Sequence, residues 1–428
     1  MKVALHCEQT ILSNGLRVLV HEHHDAPLVA VNLWYHVGSS SERPGKTGFA
    51  HLFEHLMFEG SANVPPGRFD AALESVGGIN NGSTSPDRTN YWETVPSHAL
   101  ELALWLESDR MGWLPPAITQ HKLDAQRDVV KNERRQSYEN RPYGLAWETL
   151  QAALYPEGHP YRWPVIGSMQ DLDAATLDDV LAFFESWYAP DNASLAIAGD
   201  VRAGDAFALA EKWFGGIGAS RTGSDVQAPA VLLESPVRSV LEDVVQLPRL
   251  YFGWHTPPTF ADGDAALDVA AHVLAHGRAS RLYRALVHDQ QLAQDVEAFQ
   301  HSGQLGSVFH IITTARPGVE PDALEAAVRA EVERLAHDGL DAAELERAGN
   351  VILTSFVDGL QTVGGFGGRA DRLNFYAFHT GDPNAAERDV ARYTSLDTTE
   401  VVQAVRRWLV DAPGAVLRVL ARANRIAS

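Results

Sequence analysis

Three separated stretches of this chain recur about 220 residues further on, and that periodicity limits the fold more than any local pattern does. APLVAVNLWYHVGS has a counterpart in LPRLYFGWHTPPTF, which sets Pro27 against Pro248 at an offset of 221 (248 − 27). HLMFEG resembles HVLAHG, aligning Gly60 with Gly277 at 217 (277 − 60). VLAFFESWYAPDNASLAIAGDV resembles VVQAVRRWLVDAPGAVLRVLARA, aligning Trp187 with Trp408 at 221 (408 − 187). A repeat of this length points to a duplicated domain, and a chain of 428 residues has room for two. The expected division is residues 1–214, a linker over 215–235 rich in Gly, Ser and Ala, and residues 236–428.

Within the first copy, GLRVLVHEHHDAPLVAVNLWYHVGS reads as two strands joined near His24 and Asp25. Helical periodicity follows at 45–60 and 67–77, then strand-like INNGSTSPDRTNYWETVP, then helical patterns at 97–112, 119–139 and 142–155. The copy closes with helix TLDDVLAFFESWY and strand ASLAIAGDV. Strands and helices mix without strict alternation. The class is therefore α+β, two homologous domains, each a mostly antiparallel sheet packed with helices.

Lys plus Arg total 35 against 55 Asp plus Glu, a formal charge of −20. That balance argues against nucleic acid, whose phosphates require a basic footprint, and it permits attraction of basic ligands as well as simple solubility. The one cysteine, Cys7, allows no internal disulfide and fits a reducing compartment. The first 20 residues lack the apolar stretch of a secretory signal. No uncharged run approaches the roughly 18 residues needed to cross a bilayer. A soluble cytoplasmic protein, without membrane contact, is expected.

GFAHLFEHLMFEG places His51, Glu54 and His55 on one helical face, at i, i+3 and i+4. The second copy has Asp268, Ala271 and His272 at the matching positions. A triplet that served packing alone would have little reason to be confined to one copy, so chemistry is favoured. H-x-x-E-H inverts the zinc-peptidase motif H-E-x-x-H, and its two imidazoles can converge on one ion. A five-residue pattern by itself also fits a helix with polar residues facing solvent. A third, anionic ligand should come from another helix. AQRDVVKNERRQSYENRPYG is helical in period with Val129 and Val130 on its apolar side, and offers Glu133, Glu139 and Asp128.

Taken in order, GFAHLFEHLMFEG, GGINNGSTSPDRTNYWETVP, RDVVKNE, HPYRWPVIG and WYAPDNASLAIAGD resemble the N-terminal half of the insulinase/pitrilysin family of inverted-motif zinc peptidases. The resemblance is to the short two-domain bacterial and mitochondrial-processing-peptidase-like members. It implies one Zn2+ per chain, held by His51, His55 and Glu133, with Glu54 as catalytic base. It also implies peptide substrates, or unfolded segments, held in an internal chamber as an added β-strand along Asn81, Gly82, Ser83 and Thr84. Main-chain pairing of that kind gives affinity with little sequence preference.

Two positions depart from the family pattern. A second glutamate is usual seven residues before the ligand glutamate, and Gln126 stands there, keeping hydrogen-bonding capacity beside the ligands but not charge. An arginine and a tyrosine seven apart usually follow an SRLY-like stretch and stabilise the oxyanion; here SRLYRALVHDQQLAQDV has Val287 and Gln294. Arg369 and Tyr376 are also seven apart, outside the matching context. A zinc half without that pair implies a heterodimer, in which a homologous zinc-less subunit supplies the arginine and tyrosine. The competing expectation is a non-catalytic assembly subunit of the same family. Other patterns carry less: His21 and His23 share a strand face without a third ligand, His272 and His276 lack an adjacent acid, and GGFGG at 364–368 lacks the Lys-Ser/Thr of a phosphate loop.

Overall fold

The computed structural model describes residues 5–218 and 220–422; residues 1–4, 219 (inside the expected linker) and 423–428 lie outside the described residues. The chain forms two compact units. The first comprises Met1–Asn132, Trp163–Val226 and Ser355–Arg388, and the second Glu133–Arg162, Gln227–Thr354 and Asp389–Ser428. Passage between units at Val226 falls within the 215–235 stretch, but segments 133–162 and 355–388 each join the other half's unit. Neither continuous domain of the sequence reading contains such an exchange. Periodicity shows that a segment is helical and does not show which sheet it covers.

The first unit is built on strands β1 (Glu8–Ile11), β2 (Arg17–Glu22), β3 (Leu28–Tyr35), β4 (Ile79–Thr84), β5 (Thr89–Pro96) and β6 (Ala193–Gly199), in the order β1-β2-β6-β3-β5-β4. The second is built on β7 (Val237–Asp243), β8 (Arg249–Thr256), β9 (Ala293–His301), β10 (Ser307–Ala315) and β11 (Ala415–Ala421), in the order β7-β11-β8-β10-β9. Each sheet has a single parallel pair, β2 with β6 and β7 with β11. Matching β2-β6-β3-β5-β4 to β7-β11-β8-β10-β9 preserves both order and direction, so the sequence repeat is a repeat of topology. β3 and β8 begin 221 residues apart (249 − 28), the offset of the flanking prolines. Both central strands are buried along nearly their whole length. That is why they read as continuous apolar runs and not as alternating ones.

Helix Arg369–Thr380 packs on the first unit's sheet. Asn374 Nδ2 donates to the Asn32 carbonyl (2.8 Å), and Trp34 Nε1 to Asp371 Oδ1 (2.9 Å). Arg369 and Tyr376 are thereby explained. Tyr376 is 1 % exposed in the core, while the Arg369 guanidinium meets His21 Nε2 (2.8 Å) and donates to the Leu360 carbonyl (2.8 Å). The same contact accounts for His21, whose Nδ1 lies 2.7 Å from the His6 carbonyl oxygen.

The histidine-bearing helix, Phe49–Leu56, presents Phe49, Leu52, Phe53 and Leu56 to the core. It starts at Gly48, whose φ of +86° suits glycine. Its first-turn amides have no partners within the helix. Glu42 supplies them from outside: its carboxylate accepts from the backbone N–H groups of Gly48 (2.9 Å) and Ala50 (2.8 Å). Glu42→Ala leaves both donors bare, and the expected cost is about 1–3 kcal/mol in urea unfolding followed by tryptophan fluorescence.

Candidate metal centre

His51 and His55 stand one turn apart on helix Phe49–Leu56, their rings 4.8 Å between centroids and nearly perpendicular. Helix Gln120–Arg134 brings Glu133 to them. One ligand atom from each of His51, His55 and Glu133 lies within 4.8 Å of the other two, the one such group among the described residues. Ligands sharing a tetrahedral zinc ion stand about 3.4 Å apart, within the 4.8 Å limit that these three atoms meet. The compact-unit boundary cuts helix Gln120–Arg134 between Asn132 and Glu133, but the helix is continuous across it, so Glu133 rides on the same rod as Gln126. Glu139 stands instead beside Arg134 (3.5 Å), and Asp128 is exposed. Val129 corrects the sequence reading: it is exposed while Val130 is buried, because successive helical residues point about 100° apart. A five-residue π turn, Arg135–Glu139, follows Glu133, an irregularity often found at functional positions.

The supporting contacts fix this geometry. Gln126 Nε2 donates to Glu59 Oε1 (2.6 Å), tying the glutamate helix to the chain just beyond His55. Arg127 donates to the Ala175 carbonyl (2.5 Å), and Lys131 pairs with Asp173. Glu54 is held from the sheet, where Thr84 Oγ1 donates to its Oε2 (2.5 Å). The sequence reading placed Thr84 only on a binding edge and missed this contact; the even-numbered parity of Gly82 and Thr84 along the strand was its available signal.

β4 is an edge strand, as the resemblance implied. Ser85 N–H donates to the Arg88 carbonyl (2.8 Å), and pairing then runs Ser83 with Asn90 and Asn81 with Trp92. Hydrogen-bonded pairs alternate in an antiparallel ladder, so the main-chain groups of Asn80, Gly82 and Thr84 face the open edge. The Gly82 N–H there is met by Asn81 Oδ1 (2.8 Å). A Cβ on Gly82 would come within 3.2 Å of the Tyr91 ring and 3.3 Å of the Phe58 ring.

Beneath this edge lies a buried ionic cluster that the sequence reading did not single out. Arg110 donates to Glu107 through Nε (2.8 Å) and Nη2, and its Nη2 lies 3.4 Å from Glu93. All three residues are buried, and Arg110 stacks under the Tyr91 ring at 4.2 Å. Burial, then the charge of Glu107, raises the Glu93 carboxyl well above its usual range. With two acids facing a single cation, Glu93 holds its proton more tightly than an ordinary carboxyl does. The i, i+3 pair Glu107 and Arg110, inside an apolar helix, was the available signal.

The corresponding place in the second unit is filled differently. Asp268, the counterpart of His51, accepts from the Tyr393 hydroxyl (2.8 Å), while Arg392 donates to Asp264 (3.0 Å). His272 Nδ1 lies 2.9 Å from the Asp268 carbonyl oxygen. Val287 is buried in the core, and Gln294 is exposed on edge strand β9.

Comparison with known proteins gives a consistent result. Residues 17–162 match the family described as Insulinase (Peptidase family M16), and residues 174–351 the Peptidase M16 inactive domain. The chain is 32 % identical to the zinc protease PqqE of Helicobacter pylori over 79 % of its length and 77 % of that protein's. It is 27 % identical to a probable mitochondrial-processing peptidase subunit beta of Schizosaccharomyces pombe, over 52 % and 48 % of the two chains. Among solved structures, a protease from Helicobacter pylori matches with a TM-score of 0.91 and 26 % identity, covering 97 % of this chain and all of that one (100 %). A peptidase M16 inactive domain from Pseudomonas fluorescens shares the fold, with a TM-score of 0.86 at 20 % identity over 98 % and 99 % of the chains.

The filled counterpart site yields its own expectation. Burial first, and then the charge of Asp264, push the Asp268 carboxyl up to about 7. A carboxyl raised above its unfolded value stabilises most below the unfolded pKa, near 4, and that contribution is lost as pH rises through 7. Asp268→Asn should flatten this loss and gain about 1–2 kcal/mol at pH 8 relative to pH 4, read from urea unfolding at the two pH values.

Proposed function

This chain belongs to the insulinase (M16) peptidase family, and we propose that it is a zinc-dependent metalloendopeptidase acting on peptides or unfolded polypeptide segments. The observation that carries the reading is the convergence of His51, His55 and Glu133, with Glu54 on the same helix, one turn after His51 and next to His55, held by Thr84. Two nitrogens and one carboxylate oxygen are a donor set suited to catalytic zinc, and they leave a fourth position open. When bound, zinc supplies Lewis-acid polarisation and lowers the pKa of water toward about 7. Glu54 takes the proton of the attacking water and delivers it to the leaving amine. The Thr84 hydroxyl keeps that carboxylate oriented, and the open main-chain groups of β4 align the peptide beside it.

The second unit supports a divided active site. Neither buried Val287 nor Gln294 supplies a cation or phenol, so a homologous zinc-less subunit is proposed to contribute an arginine and a tyrosine across the substrate. The same absence favours the second reading, a non-catalytic assembly subunit, which a complete ligand set and a positioned Glu54 oppose. No helix among the described residues is long and apolar enough to cross a membrane. Cytoplasmic residence is proposed on the sequence grounds above.

Purified chain should carry about one zinc per molecule by elemental analysis. Glu133→Ala should lose it, while Glu54→Gln should retain it and cleave unfolded casein roughly 10²–10⁴-fold more slowly. Unchanged cleavage by Glu54→Gln refutes the assigned base. Co-expression with a homologue that carries the arginine–tyrosine pair should raise cleavage roughly a hundredfold over the chain alone. Full proteolysis by the isolated chain would remove the need for a partner.

A further inference from the structure

The glycine-rich GGFGG stretch has no place in the chemistry above, yet its position is specific. Gly364 is pressed onto the first unit's sheet, where a Cβ would meet Thr94 Oγ1 and come within 2.8 Å of Ala30 Cβ. Gly365 and Gly367 take φ of +79° and +74°, and between them Phe366 is held out, 50 % exposed. Its ring packs edge-on against Trp92, with centroids 5.7 Å apart. Trp92 is only 8 % exposed, and its indole N–H meets no acceptor among the described residues.

Sheet register places this pair beside the peptide-binding edge. Trp92 pairs with Asn81 of β4, and Thr94 pairs with Ile79. Ile79 is 61 % exposed, an isoleucine at the open rim of the sheet. Side chains alternate along a strand, so Ile79 and Asn81 point away from the face on which Thr84 reaches Glu54. Helix Arg369–Thr380 covers β2, β3 and β6 on that far face, and the loop before it lies against Trp92 and Thr94 of β5. An exposed phenylalanine on a loop pinned to the sheet, on the same face as an exposed isoleucine, offers apolar surface that a ligand side chain can cover.

We propose that Phe366, Trp92 and Ile79 form an apolar shelf for a bulky apolar side chain of the substrate strand, on the face opposite the histidine helix. The proposal rests on the reading of β4 as the peptide-binding edge. A strand laid on Asn80, Gly82 and Thr84 sends alternate side chains to the two faces. One set faces Glu54 and the metal ligands; the neighbouring set lands on the shelf. Main-chain pairing supplies affinity without preference, and the shelf supplies preference: segments with a phenylalanine, tryptophan or leucine a few residues along the strand from the one nearest Glu54 are selected over uniformly small or polar ones. Unfolded chains expose such residues.

The test uses the full-length, zinc-loaded Glu54→Gln protein, so that binding is read without cleavage. Two fluorescein-labelled ten-residue peptides, identical except for one central Phe or Ala, are titrated by fluorescence anisotropy. The Phe peptide should bind about tenfold more tightly, the gain expected for burying most of one aromatic side chain. Adding Phe366→Ala should shrink that ratio below about twofold, while Phe366→Leu keeps most of it. Equal melting temperatures verify that the loop change leaves the fold intact. A ratio unmoved by Phe366→Ala, equal binding of the two peptides by the parent, or no binding of either overturns the shelf. Cleavage of both peptides by the protein with Glu54 intact is followed in parallel. Zinc-dependent cleavage with no Phe366-dependent preference defeats the shelf alone, and Phe366-dependent preference without any cleavage defeats the peptidase reading alone.

Discussion

The distance between two helices governs the rest of this molecule. His51 and His55 come from one helix and Glu133 from another, and their donor atoms share a volume no wider than 4.8 Å. That set depends on where each helix stands, so the contacts holding the helices are part of it. Glu42 anchors the start of the histidine helix, Gln126 joins the glutamate helix to Glu59, and Arg127 and Lys131 clamp its outer side. Gln126, a departure from the family's glutamate, thus acts here through an amide hydrogen bond to the Glu59 carboxylate.

The same logic explains the buried charges below the site. Arg110 with Glu93 and Glu107 forms a cluster that burial makes expensive, and the hydrogen bonds of the guanidinium to the two acids keep it tolerable. Its guanidinium carries the Tyr91 ring, which in turn limits how closely Gly82 of the edge strand can approach. The packed interior reaches edge strand β4 through those two residues.

Duplication gave both units one topology and left them free to diverge in chemistry. Where the first has His51, the second has Asp268 bonded to Tyr393, beside Asp264 bonded to Arg392. The pocket position is filled by side chains that satisfy each other. The exchange of helix Arg369–Thr380 into the first unit is matched by segment 133–162, about 220 residues earlier, which joins the second. It brings the Phe366 loop to the face of β5 behind the edge strand.

Much of this was legible in residue spacing. The offsets near 220 announced a repeated α+β domain, because topology is encoded by the order of periodic segments. The i, i+3, i+4 spacing put His51, Glu54 and His55 on one face, because helical geometry is local. Glu133, Glu139 and Asp128 were equivalent on periodicity, and only the packing of one helix against another brought Glu133 to the imidazoles. Val129 and Val130 were read onto one side, and burial separated them. Thr84 on Glu54, Arg369 on His21 and Phe366 on Trp92 join residues 30, 348 and 274 positions apart (84 − 54, 369 − 21, 366 − 92). Which elements the chain forms, and which helix face carries the histidines, the sequence by itself determined, since backbone periodicity acts over a few residues. Which acid completes the site and which sheet each helix covers, only the tertiary structure decided, because those outcomes depend on burying apolar surface across hundreds of residues.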